Sequence, residues 1–196
     1  MKPVDMKAVD VVGVRVEMPT NQPIVLLRER DGERFLPIWI GAVEATAIAY
    51  AQQGVEPARP LTHDLLADVV GGLGHLLVEV RITDLTDGVF FAELVFDSGQ
   101  TISARPSDAI ALALRVDAPV VASPDVLDEA GIALPDDDDS ELGAEIEDAL
   151  GEVGERRAPS EGELERFREF LEGISPEDFG TPGAPGPESA GPETPA

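Results

Sequence analysis

Two stretches of this sequence place an arginine, a proline, a hydroxyl residue and an aspartate in the same order. The first runs Ala58-Arg59-Pro60-Leu61-Thr62-His63-Asp64-Leu65-Leu66, the second Ala104-Arg105-Pro106-Ser107-Asp108-Ala109-Ile110. In each, Arg stands just outside a helix and Asp falls in its first turn. Helix N-termini attract anions, and the planar guanidinium fork fits phosphate. Arg59, Arg105 and Ser107 are therefore candidate phosphate ligands. Carboxylates beside them, Asp64 and Asp108 with Glu44, could hold a divalent metal such as Mg²⁺ or Mn²⁺, which polarises a phosphoryl oxygen and lowers the pKa of bound water. His63 is one of two histidines and could act as base, acid or ligand, since imidazole titrates near neutral pH. The expected catalytic set is His63, Asp64, Asp108, Arg59 and Arg105. It requires the two stretches to meet in space.

A structural account of each motif stands beside the chemical one. Asp in a first helical turn satisfies free N–H groups and complements the macrodipole, worth about 0.3 to 1 kcal/mol. The arginine outside could pair with that Asp and fix the turn. Other features are read blandly. His75 has no partner motif and is expected at a surface or strand start, and Trp39 in the core. Gly71-Gly72-Leu73-Gly74 follows a helix and precedes a strand, the wrong order for a phosphate cradle. Asp136 to Asp139 are like charges that repel, so a solvated linker is expected rather than a metal site.

The elements that must position these residues follow from periodicity. Met6 to Met18, Pro23 to Arg28 and Arg34 to Ile40 read as strands, with Asp31-Gly32 as a hairpin turn. The Ala-rich segment from Gly41 to Ala51 predicts a helix with Val43, Ala47 and Tyr50 or Ala51 on its inner face. Thr62 caps a second helix through Leu65, Leu66, Val69 and Val70. Strands return at Leu76 to Leu85, Val89 to Phe96 and Gln100 to Ala104. A helix opening at Pro106-Ser107-Asp108 is apolar nearly all round and must be deeply buried. A short strand, Pro119 to Ala122, precedes a closing helix capped by Ser123 and stopped by Gly131. The sum is an α+β domain on a largely antiparallel, mixed sheet with helices packed on it.

Charge divides the chain. Of 39 acids and 14 bases, residues 1–134 hold 20 and 10, and residues 135–196 the remainder. The domain is accordingly 1–134. The acidic extension 135–179 carries helical stripes at Leu142, Ile146, Ala149 and Leu150 and, after the capping box Ser160-Glu161-Gly162-Glu163, at Leu164, Phe167 and Leu171. Residues 180–196, rich in Pro, Gly and Glu, are expected to be disordered. Cysteine is absent, which excludes disulfides, thiolate zinc sites and a cysteine nucleophile. Met1-Lys2-Pro3-Val4-Asp5 opens no signal peptide and no segment is apolar enough to span a membrane, so a cytoplasmic protein is expected. An acidic surface repels polyanions.

Three blocks together, Leu36-Pro37-Ile38-Trp39-Ile40-Gly41-Ala42-Val43-Glu44-Ala45 and the two Ala-Arg-Pro stretches, resemble the bifunctional nuclease domain family over residues 5–134. The resemblance implies hydrolysis of phosphodiester bonds in RNA or DNA, and the matching positions are Glu44, Arg59, His63, Asp64, Arg105, Ser107 and Asp108. The chain departs from the family pattern at Ser103, where many members carry an acid before the second block. That substitution counts against a metal-dependent mechanism. The alternative is a non-enzymatic, homo-oligomeric binding or assembly module. In it the Arg and Asp motifs are helix caps, the apolar helix from Ala109 to Leu114 fits a core shared with another copy, and the C-terminal helix recruits a protein partner.

Overall fold

A computed structural model gives the fold, and residues 5–17 and 21–133 are described. Among these residues eight strands and four helices follow the order β1 (Lys7–Glu17), β2 (Gln22–Glu29), β3 (Arg34–Trp39), α1 (Ala42–Gln52), α2 (Thr62–Gly72), β4 (Leu77–Thr86), β5 (Val89–Phe96), β6 (Thr101–Ala104), α3 (Pro106–Val116), β7 (Val120–Ala122), α4 (Pro124–Ala130) and β8 (Ile132–Ala133). All strands join one sheet in the order β6-β5-β4-β7-β1-β2-β3-β8. Every pairing is antiparallel except β4 with β7. The α+β architecture with a mostly antiparallel sheet is thus the observed one. Both tail helices, the 134–135 boundary and the 180–196 tail fall outside the described residues.

Strict alternation makes β5 one-sided. On β5, Phe90, Ala92, Leu94 and Phe96 face the main core, and the residues between them are more exposed. β2 and β3 are buried on both faces. Val25, Leu27, Leu36 and Ile38 join the main core, whereas Ile24, Leu26 and Phe35 form a second cluster with Val12, Trp39 and Ile132. Trp39, expected in the core, is half-buried beside that cluster, and its indole Nε1 donates to Glu17 Oε2 at 3.2 Å.

Helix α3 lies at the centre. It packs on α1, α2, β4 and β5, and Ala109 through Ala113 are all buried. Its apolar circumference is satisfied within the chain itself, which removes the reason for expecting it to share a core with another copy. Pro106 occupies the first helical position, where a missing N–H costs nothing.

Two helix faces differ from expectation. On α1 the buried residues are Ala45, Ala47 and Ile48, while Val43 is 79% exposed. An Ala-rich helix is apolar on several faces, so neighbours choose which one is covered. On α2 the helix starts at Thr62 with Leu61 in the cap position, and His63 is its one buried residue. Leu65, Leu66 and Val69 face outward. Ala67 and Val70, the partly buried positions, touch the core instead. Sequence reading also omitted β8, whose two residues pair with Arg34 and Phe35. His75 lies exposed just before β4, as expected, and its Nδ1 is 3.4 Å from Asp97 Oδ1.

Candidate active site

The first turns of α1, α2 and α3 converge. Glu44 is the third residue of α1, His63 the second of α2 and Asp108 the third of α3. His63 Nε2 lies 3.1 Å from Asp108 Oδ1, across 45 residues of sequence. Asp108 Oδ2 accepts from Arg105 Nε at 2.7 Å, and Arg105 Nη2 donates to Glu44 Oε1 at 2.9 Å. A chain of four side chains, His63–Asp108–Arg105–Glu44, thus links the two Ala-Arg-Pro stretches to the block containing Trp39 and Gly41.

Electrostatics set the protonation of this chain. Burial pushes the Asp108 carboxyl up, but hydrogen bonds from Arg105 and His63 outweigh it and hold the group below its usual value. An ionised carboxylate only accepts, so His63 Nε2 carries the proton of their hydrogen bond. In the neutral ring the lone pair then resides on Nδ1. The His63 side chain is 11% exposed. Arg105 is held charged, chiefly by its bond to Asp108 and then by Glu44, and it keeps further N–H groups on a well-exposed side chain.

Asp64 belongs to a different cluster. Its Oδ2 accepts from the Leu61 backbone N–H at 2.8 Å, a reach back to the cap position, and Oδ1 pairs with Arg115 Nε. Arg115, in the last turn of α3, also donates through Nη1 to Ala47 O at 3.1 Å and Ala111 O at 2.7 Å. One largely buried guanidinium therefore ties α1, α2 and α3 together and holds the Asp64 carboxyl below its usual range, with the Leu61 N–H adding to the effect. Sequence reading missed Arg115. The available signal was a lone cation on an otherwise apolar helix, which demands an acid partner.

This arrangement bears on the expected metal ligands. Of the six carboxylate oxygens of Asp64, Asp108 and Glu44, five already face cations or N–H donors. The sixth, Glu44 Oε2, folds over Gly41, where an added Cβ would lie 2.3 Å from it. Among the described residues no three His, Asp or Glu side chains are grouped to hold a metal ion. The donor set as arranged does not fit a divalent cation.

Beside the chain of four runs a cleft of about 410 Å³, bordered by Gly41 and Ala42 of α1, by Arg105, Pro106 and Ser107, and by Trp39 and Val89. Ser107 is 7% exposed, and its hydroxyl has no hydrogen-bond partner among the described residues. Arg59 is exposed and makes no ion pair among the described residues. Geometry thus joins His63, Asp108, Arg105 and Glu44, places Ser107 beside them, assigns Asp64 to the Arg115 clamp and leaves Arg59 at the surface.

The model of the bifunctional nuclease domain matches residues 25–135. The chain belongs to that family. An uncharacterized protein of Mycobacterium tuberculosis is 52% identical over 174 residues, 89% of this chain and 98% of its own length. Bifunctional nuclease 2 of Arabidopsis thaliana is 32% identical over 106 residues, covering 51% of this chain and 32% of the plant protein. Bifunctional nuclease 2 of Oryza sativa subsp. japonica is 30% identical over 115 residues, 55% of this chain and 35% of its own. The chain therefore spans about a third of these plant relatives. Residues Arg59, His63, Arg105 and Asp108 all lie inside the matched domain.

Proposed function

We propose that this protein hydrolyses phosphodiester bonds of RNA or DNA, with His63 and Asp108 as its proton-handling pair. The carrying observation is the 3.1 Å contact between them, formed by two helix starts that lie far apart in sequence. The plant relatives are named bifunctional nucleases, which gives the same direction. In this reading His63 Nδ1 takes the proton of the attacking water, or of a ribose 2′-hydroxyl in RNA, and the imidazolium returns it to the leaving oxygen as the scissile P–O bond breaks. Asp108 keeps the ring oriented and stabilises the imidazolium that forms. The free N–H groups of Arg105 face the charge that develops on the phosphoryl oxygens. Glu44 holds the guanidinium plane from its other edge. Arg59 contacts a neighbouring phosphate.

The test is cleavage of single-stranded RNA and DNA by the full chain and by His63→Ala, each with Mg²⁺, with Mn²⁺ and with chelator. Activity retained in chelator and lost in His63→Ala is expected. Equal activity in both proteins would assign the cleavage to a contaminant.

A second reading rests on its own observation. Leu65, Leu66 and Val69 of α2, with Leu73 at its C-cap, form an outward apolar stripe, and contiguous exposed apolar surface marks association sites. A homo-oligomer built on this stripe would survive His63→Ala and dissociate in Leu65→Glu, Val69→Glu, as read by light scattering.

A further inference from the structure

The cleft between the starts of α1 and α3 has an unusual lining for so acidic a protein. The single charged residue in its lining is Arg105, and one acid, Glu44, stands at its edge over Gly41. Neither helix has a side-chain cap. Their cap positions are Gly41 and Arg105, residue types that offer no side-chain acceptor. At α3 the N–H groups of Ser107 and Asp108 precede the first intrahelical bond, which is Ala109 N to Arg105 O. The Ser107 hydroxyl adds a third donor. Ser107 lines the cleft and is more than nine-tenths buried, and its hydroxyl has no partner among the described residues. A buried hydroxyl left unsatisfied destabilises a fold, so its presence points to a ligand that completes it.

We infer that this cleft binds the terminal phosphate of a nucleotide or of a single strand's end. The inference rests on the nucleolytic reading above and gives its substrate class. The donors are two backbone N–H groups, the Ser107 hydroxyl and the unused N–H groups of Arg105. They outnumber what the two oxygens of a carboxylate engage and match the oxygens of a phosphate monoester. The α1 end contributes less, because the Glu44 carboxylate already lies over Gly41. Glu44 competes with the incoming anion. A long duplex is disfavoured, since residues 1–134 carry twice as many acids as bases.

Trp39, the only tryptophan in the chain, lines the cleft and reports occupancy by fluorescence. The full chain is titrated with a 5′-phosphorylated and an unphosphorylated single-stranded trinucleotide, with a mononucleotide and with inorganic phosphate. The phosphorylated strand is expected to bind about 10-fold tighter than the unphosphorylated one, and phosphate to displace it. Mononucleotide binding equal to the phosphorylated strand identifies the free nucleotide as ligand; weaker binding identifies the strand end. Ser107→Ala should weaken the phosphorylated ligand about 5- to 10-fold while its melting temperature stays the same or rises. A residue serving the fold alone would show the reverse. Glu44→Gln should tighten binding. Equal affinity for both trinucleotides, or an unchanged affinity in Ser107→Ala, overturns the inference. His63→Ala separates the two readings: binding retained with cleavage lost supports both. Binding by a wild-type protein that cleaves nothing removes the nuclease reading alone.

Discussion

His63 meets Asp108 through Nε2, the nitrogen farther from its backbone, which leaves Nδ1 as the basic atom. Asp108→Asn keeps a hydrogen-bonding group there but can no longer balance an imidazolium. Its cleavage rate should fall about 100-fold or more, checked by initial rates at saturating substrate, with the fold intact by circular dichroism. Asp117 offers an independent check at a site far from chemistry. It ends α3 in a left-handed conformation, φ 53°, which costs a side chain more than glycine. Asp117→Gly should stabilise by up to about 1 kcal/mol in a denaturant titration. The residue types of the site were legible in the sequence, because two Arg-Pro motifs each set a hydroxyl and an acid at a helix start. Their division into a hydrogen-bonded chain of four and a clamp was not. Asp64 and Asp108 occupy equivalent motif positions, and only the partner 51 residues away, Arg115, tells them apart.

Arg115 makes α3 the axle on which α1 and α2 are mounted. Its guanidinium reaches one carboxylate and two carbonyls on three helices. Arg115→Met should cost about 1 to 3 kcal/mol by thermal denaturation, because Asp64 and both carbonyls lose their charged donor. Cleavage should fall further than stability explains, since α2 carries His63. Most elements could be read from the chain: Asp31-Gly32, Asp87-Gly88 and Ser98-Gly99 mark hairpins, and period-two apolar residues mark the strands between them. Helix orientation could not. The face of α1 that is buried depends on where β1, β2 and α3 lie, and its alanines fit several choices. β8, two residues long, gives no period to detect.

For the molecule as a whole, pH and salt test the same charges. Asp64 and Asp108 are held below the ordinary carboxylate value in the folded protein. A depressed folded value favours the native state above the unfolded pKa, so this stabilisation is complete near neutrality. It is lost as pH falls from about 4 downward through the lowered values. Melting temperature against pH should therefore be flat from 6 to 8 and drop below 4, and Arg115→Met should flatten that drop. Salt should matter little for substrate. With Arg59 and Arg105 as the two phosphate contacts, log affinity for a single strand should fall with log salt at a slope of about −1.4. The enclosure of α3 has one last consequence, in time rather than in space. Its amides should be among the slowest to exchange with deuterium, whereas α2, anchored by His63, Asp64, Ala67 and Val70, can detach in a smaller fluctuation. Each such excursion carries the imidazole away from its aspartate while the rest of the molecule stays folded. The contact between the two side chains is then made and unmade by the looseness of a single helix.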